Sequence, residues 1–221
     1  MQSRSATERR EDLVALYKQV AACERCPLSA TRTRVVFGAG NADADLMFVG
    51  EAPGQQEDLQ GLPFVGRAGK LLGDLLEGVG LSREEVFITN VLKSRPPGNR
   101  DPQPDEIEAC RPYLDRQIEL IEPTVICTLG NFATKLLTRS SRGITAVRGR
   151  AQVHEIGGRT LRIYPLYHPA AALRTPRVLE ELRADFAGLP ALLEEPPPVP
   201  LGAVGPVAPA PEPRPQLDLF G

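Results

Sequence analysis

The chain has 221 residues, of which 42% are hydrophobic, and a formal net charge of -2 at pH 7. This length can bury one full hydrophobic core, and the near-neutral charge argues against a protein that coats nucleic acid without selectivity. The sequence has no apolar stretch long enough to span a membrane and no apolar signal core behind its charged amino terminus, so we expect a cytoplasmic protein.

The amino-terminal part of the chain predicts a helix that leads into a pair of cysteines. Apolar residues recur at helical spacing over residues 6–22, which indicates one amphipathic helix. Cys23 and Cys26 follow it directly, and a CxxC spacing lets two thiolates bind one metal ion or cluster. Disulfides are rare in the cytoplasm, so this pair indicates a metal site more than a cross-link.

The stretch 46–66 carries the main functional signal. An apolar run at 46–49 predicts a buried strand, and it ends at the loop Gly50-Glu51-Ala52-Pro53-Gly54. Open α/β sheets bind their ligands at the carboxyl ends of such strands. Glycine allows a close backbone approach and proline stiffens the turn, so Glu51 is expected at a rigid edge. Taken alone, the loop also fits an ordinary strand-to-helix turn.

A second strand and a proline-rich loop follow. After a helix over 68–78, the β-branched run 85–92 predicts a strand with Asn90 near its end, at the same edge as Glu51. An amide there can cap a turn, or it can pair with the edge of a pyrimidine through its adjacent donor and acceptor. Residues 93–102 contain too much proline for regular structure and are expected on the surface.

The second half of the chain continues the alternation of strands and helices. Cys110 falls in a helix, whereas Cys127 falls in an apolar strand, where a small buried residue is the simpler interpretation. The expected elements are a helix over 105–120, a strand over 124–129, a helix over 131–138, a basic turn over 144–150, hairpin strands over 151–156 and 160–167, and a helix over 177–186. This order predicts a three-layer α/β/α sandwich around a mainly parallel, four-stranded sheet.

The carboxyl-terminal region differs in composition from the rest. We expect one folded domain, large enough for an enzyme, over 1–190. It is followed by a disordered Pro/Ala-rich tether over 191–215 and a separate short peptide over 216–221. Proline, alanine and glycine cannot supply a hydrophobic core, so the tether is expected to stay unfolded. The apolar residues at its end have no evident folding role.

Several separated motifs point in one direction when taken together. They are GEAPG at 50–54 with Glu57 and Asp58, GxPFVG at 61–66, Thr89-Asn90, RPPxNR at 95–100, and HP at 168–169 with LR at 173–174. Each is weak alone, but their joint order over residues 10–188 resembles the family 4 uracil-DNA glycosylases, iron–sulfur members of the uracil-DNA glycosylase superfamily. The resemblance implies an enzyme that flips deoxyuridine out of DNA and hydrolyses its N-glycosidic bond.

The resemblance also implies which residues hold the base. Phe64 is expected to stack on uracil, and the Asn90 amide to pair with its O4 and N3. Cytosine exchanges donor and acceptor at this edge, so Asn90 would discriminate against it. The other residues expected to contact the base are Ala52, Gly54 and Glu57.

Catalysis and DNA binding are implied for two further groups of residues. Glu51 is expected to orient the attacking water and stabilise the cationic sugar, and His168 to donate to uracil O2 as negative charge develops there. Leu173 is expected to enter the duplex as a wedge, although an ordinary loop leucine is the alternative. Arg174 is expected to meet a phosphate. Separately from the resemblance, the clustering of arginines such as Arg95 and Arg148 predicts a local basic face for DNA, with ordinary solvated surface as the alternative.

The cysteines depart from the family pattern at one position. The family usually holds a [4Fe-4S] cluster with four cysteines, and Cys23, Cys26 and Cys110 match three of them. Ser94 stands at the fourth position, where a hydroxyl is a harder ligand for iron than a thiolate. A cluster completed by serine or solvent, a three-iron cluster, and no cluster are all open. We expect a structural cluster, weakened at this position.

The last residues, QLDLF, resemble the short peptide by which bacterial repair proteins bind the DNA sliding clamp. Gln216 would bond at the rim of the clamp pocket, and the apolar clefts would be filled by Leu217, Leu219 and Phe220. The tether would give this peptide reach and raise the effective concentration of the enzyme at DNA. A chance apolar terminus is the alternative.

Two other functions are compatible with parts of this pattern. One is a glycosylase of the same fold with wider base specificity, or a relative that traps the abasic sugar covalently. The other is a non-catalytic adaptor that binds DNA and recruits the clamp. The joint presence of Glu51, Asn90 and His168 favours the uracil hydrolase over the adaptor.

Overall fold

A central sheet of six strands organises the protein, whose computed structural model describes residues 5–199. The strands are β1 Ala39–Gly40, β2 Leu46–Gly50, β3 Phe87–Asn90, β4 Val125–Leu129, β5 Gln152–Ile156 and β6 Arg159–Leu166. They lie in the order β1-β3-β2-β4-β6-β5, with the inner four parallel and both edge strands antiparallel. The mainly parallel sheet is confirmed. Four strands were expected in the sheet, and these correspond to the inner four. The expectation did not include β5 and the two-residue β1, which form the two edges.

Helices pack on both faces of this sheet. Within residues 5–199 they are α1 Ala6–Ala21, α2 Gln55–Gln60, α3 Arg67–Glu77, α4 Pro104–Ile121, α5 Asn131–Thr138, α6 Ile144–Val147, α7 Pro169–Ala172, α8 Pro176–Ala187 and α9 Leu189–Glu194. Met47 and Val49 of β2 point to a core shared with α1, α4 and α5, whereas Phe48 points to a core shared with α3, α8 and α9. Burial on both faces explains the continuous apolar run, and the three-layer sandwich is confirmed.

The five helices predicted from periodicity are confirmed to within one residue at each end, but the short helices were missed. Residues 144–150, predicted as a turn, contain the single turn α6. The helix over 177–186 was expected to be the last one and to close the domain near Pro190, yet α9 follows it with Pro190 in its first turn. A proline at this position loses no helical hydrogen bond, so it starts a helix as readily as it ends one.

Part of the expected carboxyl-terminal region lies outside the described residues. Residues 200–221 include most of the predicted tether and the whole peptide 216–221, whereas residues 191–194, at the start of the expected tether, belong to α9. Across residues 5–199, none of the helices combines the length and apolar character that crossing a membrane requires.

Candidate active site

Three strand ends bring together the segments that carry the sequence motifs. Glu51 follows β2, Asn90 ends β3 and His168 follows β6, all at the carboxyl edge of the sheet. Gly50 and Asn90 are paired in parallel register, so β2 and β3 end side by side. A cavity of about 390 Å³ opens at this edge. Its lining includes every residue that was predicted to contact the base or to act on the glycosidic bond. These residues are Glu51, Ala52, Gly54, Glu57, Phe64, Asn90 and His168.

Asn90 contributes a buried side-chain amide to the cavity. The residue is 2% exposed, and its Oδ1 makes no hydrogen bond within residues 5–199. A Cβ atom on Gly50 would lie 2.3 Å from this oxygen, so the absence of a side chain at Gly50 lets the amide lie against β2. A buried acceptor without a partner is costly. This oxygen therefore suits a ligand that brings an N–H donor into the cavity.

A left-handed turn places Phe64 over the cavity. Its φ is 52°, an uncommon value for a bulky residue. The Oε1 atom of Glu57 accepts the two backbone N–H groups after Phe64, each at 3.0 Å. From the other side, Nη2 of Arg83 donates to the Pro63 carbonyl at 3.0 Å. The turn is thus fixed at both ends, and Glu57 both lines the cavity and fixes the turn that carries the Phe64 ring.

His168 is held as a neutral hydrogen-bond donor. Its Nδ1 accepts the N–H of Ala170 at 3.1 Å, at the start of α7, so the neutral ring carries its proton on Nε2. Burial lowers the pKa of His168 to about 4, although the charge of Glu57 opposes this shift. The imidazole is therefore neutral at pH 7, with Nε2–H as its remaining donor.

Glu51 is a partly buried carboxylate on a rigid extension of the sheet. The carbonyls of Gly50 and Glu51 accept the N–H groups of Val91 and Leu92 at 2.9 and 3.0 Å, so the ladder between β2 and β3 continues past their ends. Burial raises the pKa of Glu51, and the charge of Asp101 raises it further. A raised pKa makes this carboxylate a stronger base than an exposed glutamate.

The loop between β3 and α4 contributes cavity residues that the sequence did not assign. Pro96, Asn99 and Arg100 line the cavity. Asn99 has a φ of 55°, and its Oδ1 accepts from Nε of Arg95 at 2.7 Å. The RPPxNR motif was the available signal, but its proline content predicted only an irregular surface segment. Sequence alone gave no reason for this loop to turn back over the site.

The residues expected to contact DNA fall into two groups. Leu173 is 40% exposed immediately after α7, and Arg174 beside it is also exposed. Arg148 is instead engaged within the protein. Its Nε and Nη2 atoms each donate to the Asp185 carboxylate at 2.9 Å, and its guanidinium lies 5.2 Å from the centre of the Tyr167 ring. This geometry favours a structural role for Arg148.

Three of the four cysteines share one region of the fold. Cys110 is buried in α4 and interacts electrostatically with Cys23 and Cys26. Ser94 is buried nearby, and Nη1 of Arg32 lies 2.7 Å from the Cys23 carbonyl and 3.5 Å from Ser94 Oγ. Among the described residues, no three His, Cys, Asp or Glu side chains are arranged to hold one metal ion.

The cysteines differ in how readily they ionise. Burial raises the pKa of Cys23, but hydrogen bonds from Tyr113 and Arg25 outweigh this effect, so the pKa is lowered overall. Burial raises the pKa of Cys110. Cys127 is completely buried in β4, which raises its pKa well above the ordinary value and confirms it as a buried strand residue. Because the thiolate is the metal ligand, the lowered pKa of Cys23 favours metal binding by this residue.

Comparison with known proteins identifies the family. Residues 37–187 match the model of the "Uracil DNA glycosylase superfamily". A type-4 uracil-DNA glycosylase of Archaeoglobus fulgidus is 47% identical over 180 residues, which cover 80% of this chain and 90% of that protein. The type-4 enzymes of Saccharolobus solfataricus and Thermotoga maritima are 50% and 46% identical, covering 79% and 75% of this chain and 82% and 85% of theirs. The chain therefore belongs to the uracil-DNA glycosylase superfamily and, within it, to the type-4 family.

Proposed function

We propose that this chain excises uracil from DNA by hydrolysing the N-glycosidic bond of deoxyuridine, which leaves an abasic site for base excision repair. The observation that carries the proposal is the unpaired, buried Oδ1 of Asn90 in a cavity that Glu51, Phe64 and His168 also line. A base inside a duplex cannot reach such a cavity, so the nucleotide must first leave the stack. The names of the type-4 relatives support the same reaction.

Asn90 selects uracil by its hydrogen-bonding edge. Its Oδ1 accepts N3–H and its NH₂ group donates to O4. Cytosine presents an N3 acceptor and an amino donor at the same positions, so both contacts fail. Phe64 stacks against the flat face of the base, from the turn that Glu57 holds. The backbone around Ala52 and Gly54 forms a further wall.

Glu51 and His168 act on the two charges that develop as the bond breaks. The electron pair of the C1′–N1 bond passes to uracil, largely onto O2, and the sugar becomes cationic. His168 stabilises O2 through Nε2–H, since its neutral ring is already a donor. The Glu51 carboxylate stabilises the sugar and accepts a proton from the water that attacks C1′. Uracil leaves as an anion, which solvent protonates.

DNA binding involves the surface around the cavity. Leu173 enters the space that the flipped nucleotide vacates, because it is the exposed apolar side chain after α7. Arg174 contacts a phosphate beside it, and Arg95 contacts one near the proline-rich loop. Arg148 supports this surface indirectly, by tying Asp185 of α8 to the segment that carries Tyr167.

Cys23, Cys26 and Cys110 would hold a [4Fe-4S] cluster, with Ser94 or solvent as the fourth ligand. The donor set fits, because three thiols share one region and each thiolate of a cluster binds its own iron, so the side chains need not surround one ion. When bound, the cluster would cross-link the CxxC segment to α4. Iron and sulfide analysis of anaerobically purified protein tests this. A sample without iron and without sulfide-to-iron absorption would contradict it.

The carboxyl-terminal QLDLF is proposed to bind the bacterial sliding clamp, which would keep the enzyme at the nucleoid. Its support is the sequence pattern at the end of a long tether. The side chains that would contact the clamp are Gln216, Leu217, Leu219 and Phe220. Deleting 216–221 should abolish clamp pull-down and leave activity on short oligonucleotides unchanged. Equal pull-down with the deletion would count against this peptide.

Uracil-containing single- and double-stranded oligonucleotides, followed by alkali, test the proposed reaction. Strand breaks are expected at uracil and not in matched oligonucleotides with thymine or cytosine. Glu51→Ala, Asn90→Ala and His168→Ala should each lose most activity while their thermal unfolding stays cooperative. Additional breaks at hypoxanthine would favour a wider base specificity. An absence of breaks under every condition would contradict the proposal and favour a DNA-binding adaptor.

A further inference from the structure

Lys93 is a fully buried cation directly beneath the candidate active site. It is 2% exposed, and its Nζ contacts three oxygen acceptors. These are the Asn90 carbonyl at 2.7 Å, Thr89 Oγ1 at 2.8 Å and Gln117 Oε1 at 2.6 Å. Three acceptors require three N–H donors, which only the charged ammonium supplies. This hydrogen-bond geometry is that of the protonated lysine, whose pKa burial lowers to about 7.

The three acceptors belong to a hydrogen-bonded network that crosses the fold. Thr89 Oγ1 donates to the Phe37 carbonyl at 2.7 Å, and Gln117 Nε2 donates to the same carbonyl at 2.9 Å. The ammonium therefore joins the end of β3 to α4 and to the segment before β1.

No carboxylate among the described residues forms an ion pair with Lys93. Burying an ammonium away from water without a carboxylate partner lowers the free energy of unfolding, and an apolar side chain of similar length would avoid this loss of stability. The ammonium instead fixes the position of the end of β3, because it donates a hydrogen bond to the backbone carbonyl of Asn90. Among the described residues, the adjacent side-chain oxygen of Asn90 is a cavity acceptor without a hydrogen-bond partner.

We propose that Lys93 is a positioning residue that fixes the end of β3 and thereby aims the Asn90 amide at the uracil edge. The proposal rests on the proposed uracil excision. Lys93 does not touch the base; it acts through Asn90. Loss of the ammonium frees the Asn90 carbonyl and lets the amide lose its alignment, so the effect of Lys93 depends on the presence of the amide.

Lys93→Met tests this by a double-mutant cycle with Asn90→Ala. In the wild-type background, Lys93→Met should lower kcat/KM on a uracil oligonucleotide by roughly tenfold or more and weaken inhibition by free uracil by a similar factor. In the Asn90→Ala background it should cause almost no further loss, because the group that it positions is gone. Lys18→Met, on the exposed surface of α1, is the matched control and should change neither quantity.

The outcomes separate this proposal from the function on which it rests. An inactive wild-type protein would refute uracil excision itself. An active wild type in which Lys93→Met costs the same factor with and without Asn90, or leaves uracil inhibition unchanged, would overturn the positioning role. If Lys93→Met does not fold, the same cycle with Thr89→Val tests the positioning role, since this substitution removes one acceptor of the ammonium and keeps the shape of the strand. It should give a smaller loss that also disappears in the Asn90→Ala background, and an equal loss in both backgrounds would overturn the role.

Discussion

The imidazole of His168 stacks on the ring of Phe64, with ring centroids 5.7 Å apart and 29° between the planes. One ring comes from the turn after α2 and the other from the loop after β6, so two distant segments form one wall of the cavity. The hydrogen bond from Ala170 fixes His168, and Glu57 fixes the turn of Phe64. Phe64, which stacks on the base, and His168, which donates to O2, therefore hold each other in place through their ring contact.

Phe64→Ala should lower kcat/KM for uracil excision by roughly 10- to 100-fold, because stacking of a base on an aromatic ring is worth about 1–3 kcal/mol. The loss should be larger than stacking alone predicts if His168 also shifts. Single-turnover kinetics on a uracil oligonucleotide measure it. Tyr17→Ala, which removes a half-exposed ring of α1, is the control and should keep full activity. A Phe64→Ala enzyme within threefold of wild type would contradict the stacking role.

His168 should contribute no ionisation to the pH profile of kcat/KM near pH 6.5, the ordinary pKa of histidine. Burial lowers the pKa of His168 to about 4, so the ring stays neutral down to that region. Activity should instead fall on the acid side as Glu51 is protonated, at a higher pH than for an exposed glutamate, because burial raises its pKa. A rate plateau that ends near pH 6.5 and moves in a His168 variant would contradict this assignment.

The substitution Asp101→Asn tests whether Glu51 sets the acid limb of the pH profile. The charge of Asp101 is the second cause, after burial, of the raised pKa of Glu51. Removing it should lower that pKa and move the acid limb to lower pH, with little change in the rate at the plateau. An acid limb that stays in place would show that another group controls it.

The sequence predicted the layers of the fold and the main lining of the cavity, since strand ends in a parallel sheet meet at one edge. Asn90 and Glu51 could be placed together for this reason. The turn of Asn99 could not be predicted, because a left-handed asparagine depends on local contacts such as that with Arg95. Arg148 shows a further limit. A basic residue in a basic segment gives no sign that Asp185, in a later helix, already pairs with it.

Gly50→Ala should remove activity while the protein still folds. The new Cβ atom would lie 2.3 Å from Asn90 Oδ1 and 2.8 Å from Phe64 Cζ, so the amide and the ring must both move. Overpacking of this kind costs about 1–3 kcal/mol of stability. Gly73→Ala in α3 is the control. Its Cβ would have Arg83 Cδ as nearest atom at 3.9 Å, so it should stabilise the helix by about 0.5–1 kcal/mol and keep activity. Unchanged uracil excision in Gly50→Ala would contradict the described packing.

Ser94→Cys should increase the iron retained per chain after aerobic purification. Ser94 is 4% exposed beside Arg32, in the region of the three thiols, and a thiolate there would replace a harder oxygen ligand. Cys110→Ser should have the opposite effect, and Cys127→Ser in β4 should not change the iron content. Iron and acid-labile sulfide analysis, together with visible absorption, measure the result. Equal iron content in Ser94→Cys and wild type would argue against a ligand position at residue 94.

Arg174→Ala and Arg148→Ala should separate DNA contact from internal support. Arg174 is exposed after the loop of His168, so its loss should weaken binding to uracil-free duplexes and reduce the slope of log K against log salt by about 1. Arg148 donates to both oxygens of Asp185, which is mostly buried, so its loss should cost about 3 kcal/mol of stability and leave the salt slope unchanged. Fluorescence anisotropy at several salt concentrations and thermal unfolding give the two readouts. An Arg148→Ala protein of normal stability with a reduced salt slope would return Arg148 to the DNA-binding surface, because only a phosphate contact releases counterions.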